Sequence, residues 1–421
     1  MKINLKRCIA LLLGFGFVLS ASACMMMPNQ NTNNTESSSS KKNSSKKDKN
    51  SSKEDDESSE DGLDYSDYVD FVVEVEEGRN ARVLQLTDPQ LIDNTQAEPG
   101  AVSSIYSPDK TEEYCYRYIR QVVERYDPDL ILMTGDIVYG QFDNNGSMLT
   151  ELIEFMEGFD IPWAPVFGNH DNESKMGADW QCEQFENAEN CLFLKRELTG
   201  NGNYSVGIVQ GDKLQRVFFM MDSNGCELAS AESVANGQTK TNPGFGSDQI
   251  DWYMQEAKEI KEVSPKTKFS FAFHIQIDAF RYAYEKYGTY DENNFEAFDL
   301  ESNETALNGG DFGYMGRDMK GAWDKNNIVW DSFMEIGVDS IFVGHEHCNS
   351  ASIIVDGVRL QFGQKSSQYD RFNKWLNGQI VGSYDHEGDP IMGGTKISLS
   401  KTNGAIMGDT GLILWDPELD K

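Results

Sequence analysis

Short apolar runs alternate along this chain with longer segments whose apolar positions recur every three to four residues. The short runs predict buried strands over residues 82–86, 130–133, 163–167, 216–221, 269–273 and 341–343. The longer segments predict helices over residues 111–126, 149–156, 250–257 and 328–336. Strands and helices in alternation indicate an α/β fold, in which helices cover the faces of a sheet.

Residues that commonly begin or end helices flank these segments. Ser147 and Ser247 are predicted as N-caps, because a serine hydroxyl can accept a hydrogen bond from the first helical turn. Gly158 and Gly337 follow the last apolar positions of two segments and predict helix ends.

Polar and ionisable residues stand at the carboxyl ends of the predicted strands. They are Asp88, Asp136, Asn169, His170, His274, His345 and His347. Functional groups gather beyond the carboxyl ends of strands in sheets of this kind, so we expect these residues to lie together. Four of the five histidines of the chain belong to the set. Imidazole, carboxylate and amide ligands suit Mg, Mn, Fe or Zn, which predicts a metal site.

Five short motifs contain these residues in a fixed order. They are Thr87-Asp88-Pro89-Gln90, Gly135-Asp136, Gly168-Asn169-His170-Asp171, the single His274, and Gly344-His345-Glu346-His347. In content and order they resemble the calcineurin-like metallophosphoesterase family. The resemblance implies a four-layer α/β (α+β) fold for residues 63–421, with a central β-sandwich of two mixed sheets flanked by helices.

The resemblance also implies a centre of two metal ions (Fe, Mn or Zn, divalent or of mixed valence). One carboxylate, that of Asp136, would bridge the ions. The remaining implied ligands are Asp88 and His347 for the first ion, and Asn169, His274 and His345 for the second. A hydroxide bridging the ions would attack the phosphorus of a small phosphate ester.

The motif Gly168-Asn169-His170-Asp171 supplies the implied catalytic pair. His170 would lie beside the metals and protonate the leaving alkoxide or stabilise its charge. Asp171 would fix the orientation of His170. Together with the metal ligands, this pair implies a hydrolase of phosphate monoesters.

The first motif departs from the family pattern, which usually has Asp-x-His where this chain has Gln90. Gln is a weaker, neutral oxygen ligand for the first ion. Three residues after Asp136 stands Tyr139, and Gly-Asp-x-x-Tyr resembles the purple acid phosphatase branch, whose Tyr ligates a ferric ion. Tyr139 is therefore predicted either to complete the first site or to pack in its turn. Two other functions stay open: a phosphodiesterase acting on nucleotides or glycerophosphodiesters, and a surface binding protein that has lost activity.

The first 62 residues are not counted in the folded domain. Residues 1–23 have the basic start, short apolar run and small residues of a secretory signal. Cys24 follows directly and resembles the lipidated cysteine of bacterial lipoproteins. Residues 24–62 are almost entirely polar and predict a disordered tether to the outer face of a bacterial cell membrane. Cleavage after Ala23 and secretion is the alternative.

The chain is strongly acidic, with 69 Asp and Glu against 37 Lys and Arg. Residues 1–62 carry nine basic and eight acidic side chains, so the acidic excess lies on the remainder. Such a domain is not expected to bind nucleic acid. An anionic substrate would have to be attracted by bound cations.

Three further features bear on organisation. Residues 275–326 lack a clear period and are interpreted as an insertion near the site. Two strand-like runs, residues 395–399 and 412–415, can complete a second sheet. A bridge between Cys182 and Cys191 is possible, but the sequence does not decide it.

Overall fold

The computed structural model describes residues 63–93, 95–96, 111–225, 227–228, 240–241, 244–287, 327–347, 349–367, 374–376, 379–381 and 392–420. The predicted signal sequence, Cys24 and the tether lie outside these residues, as do residues 288–326 of the predicted insertion. Within the described part of the chain, no helix has both the length and the apolar character needed to cross a bilayer.

Sixteen strands are formed by the described residues: β1 (Phe71–Glu74), β2 (Ala81–Leu86), β3 (Leu130–Thr134), β4 (Trp163–Val166), β5 (Asn203–Gln210), β6 (Lys213–Met221), β7 (Glu227–Leu228), β8 (Lys240–Thr241), β9 (Lys268–Ala272), β10 (Val338–Val343), β11 (Ser352–Val355), β12 (Val358–Phe362), β13 (Lys374–Leu376), β14 (Gln379–Val381), β15 (Gly393–Leu399) and β16 (Gly411–Leu414). The α-helices of the same residues are α1 (Thr111–Tyr126), α2 (Ser147–Glu157), α3 (Ala178–Asn187), α4 (Ser247–Val263), α5 (Asp278–Tyr287) and α6 (Ile328–Ile336).

Two mixed sheets form the centre of the domain. One has seven strands in the order β1-β5-β6-β9-β10-β12-β11, and the other has five in the order β16-β15-β2-β3-β4. Strands β2, β3 and β4 are parallel neighbours, as are β6, β9, β10 and β12. Two separate hairpins, β7-β8 and β13-β14, lie outside these sheets.

The alternating side chains of β6 show how the layers stack. Phe218 and Met220 pack in a core shared with β2, β3, β4 and helices α1 to α3. Val217, Phe219 and Met221 point to the opposite face and pack with α4 and α6. The order of layers is therefore helices, five-stranded sheet, seven-stranded sheet, helices. This arrangement confirms the predicted fold class.

The segments with the clearest apolar periodicity form the helices and strands that were predicted for them. Helices α1 and α6 have the predicted bounds, and the predicted strands recur with one or both ends shifted by one to three residues. Residues 393–399 pair with β2, so the late strands complete the five-stranded sheet. The elements that were not predicted are β1, β5, β7, β8, β11 to β14, and helices α3 and α5.

Both serine caps were predicted wrongly. Ser147 and Ser247 are the first helical residues, and glycines occupy the N-cap positions before them. The carboxylate of Asp143 caps α2, because it accepts hydrogen bonds from the N–H groups of Met148 (3.0 Å) and Leu149 (3.2 Å).

Two open points of the sequence are settled within the described residues. The predicted insertion contains helix α5 near its start, and Phe280 and Ala283 of this helix are buried in the core. The prediction that residues 275–326 lack a regular apolar pattern was therefore wrong for this part. Cys182 and Cys191 are both buried free thiols.

Candidate metal centre

The carboxyl ends of strands from both sheets converge at one edge of the sandwich. Asp88, Asp136 and Asn169 follow β2, β3 and β4 of the five-stranded sheet. His274 and His345 follow β9 and β10 of the seven-stranded sheet. The structure therefore brings together residues that are far apart in the sequence, such as His347 and Gln90, which are separated by 257 positions.

Two sets of ligand atoms lie at this edge, and Asp136 belongs to both. One set is Asp136, His274 and His345, and the other is Asp88, Asp136 and His347; within each set the atoms lie within 4.8 Å of one another. Such a shared carboxylate between two imidazole-containing sets fits a pair of metal ions.

Individual distances support this grouping. His347 Nε2 lies 3.2 Å from Asp88 Oδ1, and His274 Nε2 lies 3.3 Å from Asp136 Oδ2. Asn169 Oδ1 lies 3.2 Å from His274 Nε2, so its amide joins the second set. The other nitrogen of His274, Nδ1, donates to the carbonyl oxygen of Thr134 (2.8 Å), which leaves Nε2 to face Asp136.

The backbone of the site is held in an uncommon conformation. Asp88, Gln90, Asp136 and His345 have φ values of 51°, 47°, 47° and 74°. Positive φ is rare for residues other than glycine, and such strain collects at functional sites where the surrounding structure fixes it. Here the N–H of Asp88 donates to Gly135 O (3.1 Å) and that of Gln90 to Asp136 O (2.9 Å).

Glycine is required at two positions where the motif backbones touch ligand side chains. A Cβ atom at Gly135 would lie 2.6 Å from His274 Nδ1, and one at Gly344 would lie 2.7 Å from Asp88 Oδ2. These distances are too short for real contacts. The glycines of Gly-Asp and Gly-His-x-His therefore allow the close approach of the ligand set.

Burial and mutual charge decide the protonation of the site. Burial alone would raise the pKa of Asp88, but His347, His274 and Lys365 hold it at about 2. Burial would lower the pKa of His274, but Asp136 and Asp88 raise it to about 9. A proton on His274 thus compensates two buried carboxylates, which is the role that a metal cation would take over. Burial and the charge of His274 lower the pKa of His345 to about 3.

His170 lies beside the two sets. Its Nε2 is 4.0 Å from Asp136 Oδ2, and its backbone N–H donates to Asp136 Oδ1 (2.8 Å). Its other nitrogen, Nδ1, lies 2.8 Å from Glu173 Oε2. Burial would lower the pKa of His170, but the charges of Asp136 and Glu173 raise it. The ring is therefore protonated more readily than a free imidazole, and in the charged form its Nε2–H points toward the site.

The orientation of His170 comes from a residue that the motif did not indicate. Glu173, three residues after His170, contacts the imidazole ring. Asp171 had been predicted to make this contact. The Asp171 carboxylate instead accepts hydrogen bonds from the N–H groups of Val138 (2.9 Å) and Gly168 (2.7 Å). Its role is thus to tie two motif loops together, and burial beside Asp136 raises its pKa to about 7.

Tyr139 lies at the same edge and packs against His170. The two rings are stacked, with their centroids 3.9 Å apart and an angle of 27° between their planes. The ring centroid of Phe142 lies 5.4 Å from that of Tyr139. This contact corresponds to the packing alternative. Ligation of a metal by Tyr139 stays a prediction.

Gln90 differs from its predicted role as an oxygen ligand. Its Oε1 accepts a hydrogen bond from Lys365 Nζ (3.0 Å), and its Nε2 lies 3.2 Å from Asp136 Oδ2. Lys365 follows β12 and belongs to none of the five motifs, so sequence analysis missed it. Thr87 and Lys365 form an isolated parallel bridge between the segments that follow β2 and β12. This bridge brings Lys365 to the site.

Sequence comparison agrees with this architecture. The family model described as "Calcineurin-like phosphoesterase" matches residues 81–349, which is more than half of the chain. This range begins at β2 and ends just after the last histidine of the site.

Several relatives match over parts of their length. "Probable inactive purple acid phosphatase 28" of Arabidopsis thaliana is 39% identical over 74 residues, which are 16% of this chain and 19% of that protein. "Probable inactive purple acid phosphatase 14" of the same plant is 22% identical over 196 residues (43% and 47%). "Phosphatase DCR2" of Saccharomyces cerevisiae is 22% identical over 247 residues (55% and 38%). This chain thus spans less than half of the length of these relatives.

Solved structures give weaker similarity. A dimetal phosphatase from Danio rerio has a TM-score of 0.44 at 10% identity, covering 76% of this chain and 92% of that one. Purple acid phosphatase PPD1 from yellow lupin seeds has a TM-score of 0.39 at 13% identity, covering 80% and 54%. On the match to its sequence model, the chain belongs to the calcineurin-like phosphoesterase family.

Proposed function

We propose that this protein hydrolyses phosphate monoesters at a centre of two metal ions. The observation that carries the proposal is the carboxylate of Asp136, which belongs to both sets of ligand atoms. Family membership supports the reaction class, a phosphoric ester hydrolysis. When bound, the two cations would supply Lewis-acid activation of water and of the phosphate ester.

The residues of the chain would divide the remaining work. Asp88, Asp136 and His347 would hold one ion, and Asp136, Asn169, His274 and His345 the other. His170 would keep a proton on Nε2 and pass it to the leaving oxygen, while Glu173 holds Nδ1. The bound cations would also offset the acidic surface, which otherwise repels an anionic substrate.

The proposal is tested by assaying one aryl phosphate and one bis-aryl phosphate with Mn, Zn or Fe. We expect turnover of the monoester to exceed that of the diester, and the D136N variant to lose both. Faster turnover of the diester would instead favour the phosphodiesterase alternative.

A binding protein without activity is the second candidate. Its support is the replacement of the usual motif histidine by Gln90 and the word "inactive" in the names of two relatives. Absence of turnover with every metal, together with intact metal binding, would favour this candidate over a hydrolase.

The purple acid phosphatase-like branch is a finer proposal that depends on Tyr139. If its phenolate binds ferric iron, the iron-loaded protein absorbs visible light by charge transfer, and Y139F abolishes that band. A colourless, fully active iron-loaded protein would leave Tyr139 with only its packing against His170.

Anchoring of the protein to a membrane is proposed from residues 1–62 alone. Cys24 would carry the lipid, and the polar tether would hold the domain outside a bacterial cell. Labelling with a radioactive fatty acid in the bacterial host should mark the native chain and not C24S. Equal release of both proteins into the medium would favour secretion.

A further inference from the structure

Lys365 is a buried cation beside the first ligand set. Its side chain is 1% exposed, although lysine is rarely buried without partners. The ammonium nitrogen donates to the backbone oxygen of Asp88 (2.9 Å) and to Oε1 of Gln90 (3.0 Å). It therefore contacts the two residues of the first motif that face the metal position.

The chemistry of lysine fixes the orientation of Gln90. The oxygen and nitrogen ends of a glutamine amide have nearly the same shape, and hydrogen-bond partners decide between them. An ammonium group has three donors and no acceptor. The end of Gln90 that meets Lys365 must therefore be the oxygen.

The amide nitrogen of Gln90 consequently points into the first ligand set. Nε2 lies 3.2 Å from Asp136 Oδ2 and 3.1 Å from His347 Nε2. An amide nitrogen offers hydrogens and no available lone pair, so it does not coordinate a cation. The position that a histidine usually occupies in this family thus presents a donor to the metal.

We propose that Lys365 is a positioning residue that keeps the Gln90 oxygen away from the first metal ion. Gln90 is then no ligand, and a fixed positive charge stands beside a site made of Asp88, Asp136 and His347. The second site retains one carboxylate, one amide oxygen and two imidazoles. The two sites consequently differ in affinity, with the first weaker. This inference rests on the proposed metal centre.

A double-mutant cycle with Mn²⁺ tests the proposal. Binding of Mn²⁺ to the full-length protein is measured by calorimetry for wild type, K365M, Q90L and the double variant. In K365M the freed amide can rotate and offer its oxygen, so we expect the weaker site to tighten by about 100-fold. In the Q90L background only the loss of the lysine charge remains, so K365M should tighten Mn²⁺ binding at the weaker site by about tenfold.

The difference between the two backgrounds is the decisive quantity. A coupling of about tenfold supports the positioning role, because charge removal alone would be equal in both backgrounds. Equal effects of K365M in the two backgrounds would overturn it. As a control, S367A removes another donor to the Asp88 carbonyl (3.3 Å) and should leave both affinities unchanged.

A second variant covers the case in which K365M does not fold. In Q90E one oxygen keeps the contact with Lys365, and the other replaces Nε2 beside Asp136. We expect lower thermal stability without metal, since two carboxylates then face each other, and at least tenfold tighter Mn²⁺ binding at the weaker site. Unchanged affinity in Q90E would contradict the proposal. Absence of any Mn²⁺ binding by wild type would instead contradict the metal centre itself.

Discussion

At the scale of single residues, polar contacts orient several of the proposed metal ligands. His274 is oriented by the carbonyl oxygen of Thr134, and Asp136 is approached by the backbone N–H of His170. Such preorganisation lets binding proceed without reordering of the side chains. The ordered set includes Glu173 on the ring of His170.

Removal of the His170 imidazole should affect chemistry more than metal binding. We expect H170A to lower kcat by about 10²- to 10⁴-fold, the usual contribution of a general acid, while elemental analysis finds unchanged metal content. E173Q keeps a partner for Nδ1 and should lower kcat less. Loss of metal in H170A would mean that His170 is itself a ligand.

The residues of the site differ in how far sequence could predict them. The proposed metal ligands were recognisable because they stand at strand ends in ordered motifs. Glu173 and Lys365 could not be recognised, since each acts through a contact that only the folded backbone creates. Asp171 belongs to a motif, but its carboxylate ties two loops together instead of touching the histidine beside it.

At the scale of secondary-structure elements, the start of helix α2 is set by a side chain that accepts hydrogen bonds from the N–H groups of its first turn. Helix α2 is capped by Asp143, four positions before its first residue, Ser147. Sequence reasoning placed the cap on Ser147, because serine directly before an apolar segment is a common signal. The hydroxyl of Ser147 instead donates to Asp93 Oδ2 (3.0 Å).

Two substitutions distinguish the caps of α2. D143A leaves the N–H groups of Met148 and Leu149 without their acceptor and should lower the free energy of unfolding by about 1–2 kcal/mol. S147A should lower it by less than about 1 kcal/mol. Urea unfolding of both variants measures the difference, and a larger effect of S147A would show that the serine is the true cap.

Two of the strands that were not predicted depend on a distant partner. Strands β1 and β5 pair with each other in parallel across more than 130 positions of sequence. Their stability comes from this partner and from the core, and a local pattern does not contain that information. Helices α1 and α6, with one apolar face each, were predicted because their periodicity is local.

At the scale of the whole molecule, buried charges outside the metal centre set a pH dependence. Glu256 on α4 is 14% exposed and lies 3.8 Å from Arg196 Nη2. Its Oε2 accepts a hydrogen bond from Trp252 Nε1 (2.9 Å). Burial, with the negative charge of Asp70, raises the pKa of Glu256 to about 7.

This raised pKa predicts a stability difference with a defined sign. The folded state holds the Glu256 proton more tightly than the unfolded state, whose pKa is near 4.5. Stability is therefore lost as pH rises from about 4.5 through about 7. E256Q cannot ionise, so above pH 8 it should be more stable than wild type by about 1–3 kcal/mol, with the difference falling away below pH 4.5. If the stability difference between E256Q and wild type is the same at all pH values, ionisation of Glu256 does not cause the pH dependence.

The whole-molecule arrangement would also allow a strongly acidic chain to bind the anionic substrate that we propose. The cations would stand at the meeting edge of two sheets, where carboxylates are already buried and paired with imidazoles. The attraction is then local to the site and independent of the general surface charge.

A count of bound metal ions tests whether the carboxylate of Asp136 is shared by two metal ions. Wild type and D136N are dialysed to equilibrium against saturating Mn²⁺, and the metal bound per chain is measured as the excess over the outer solution. We predict two ions in wild type and loss of both from D136N, because the bridging ligand serves each site. A wild-type chain that binds no metal, or a D136N chain that binds two ions, would contradict the bridging role of Asp136.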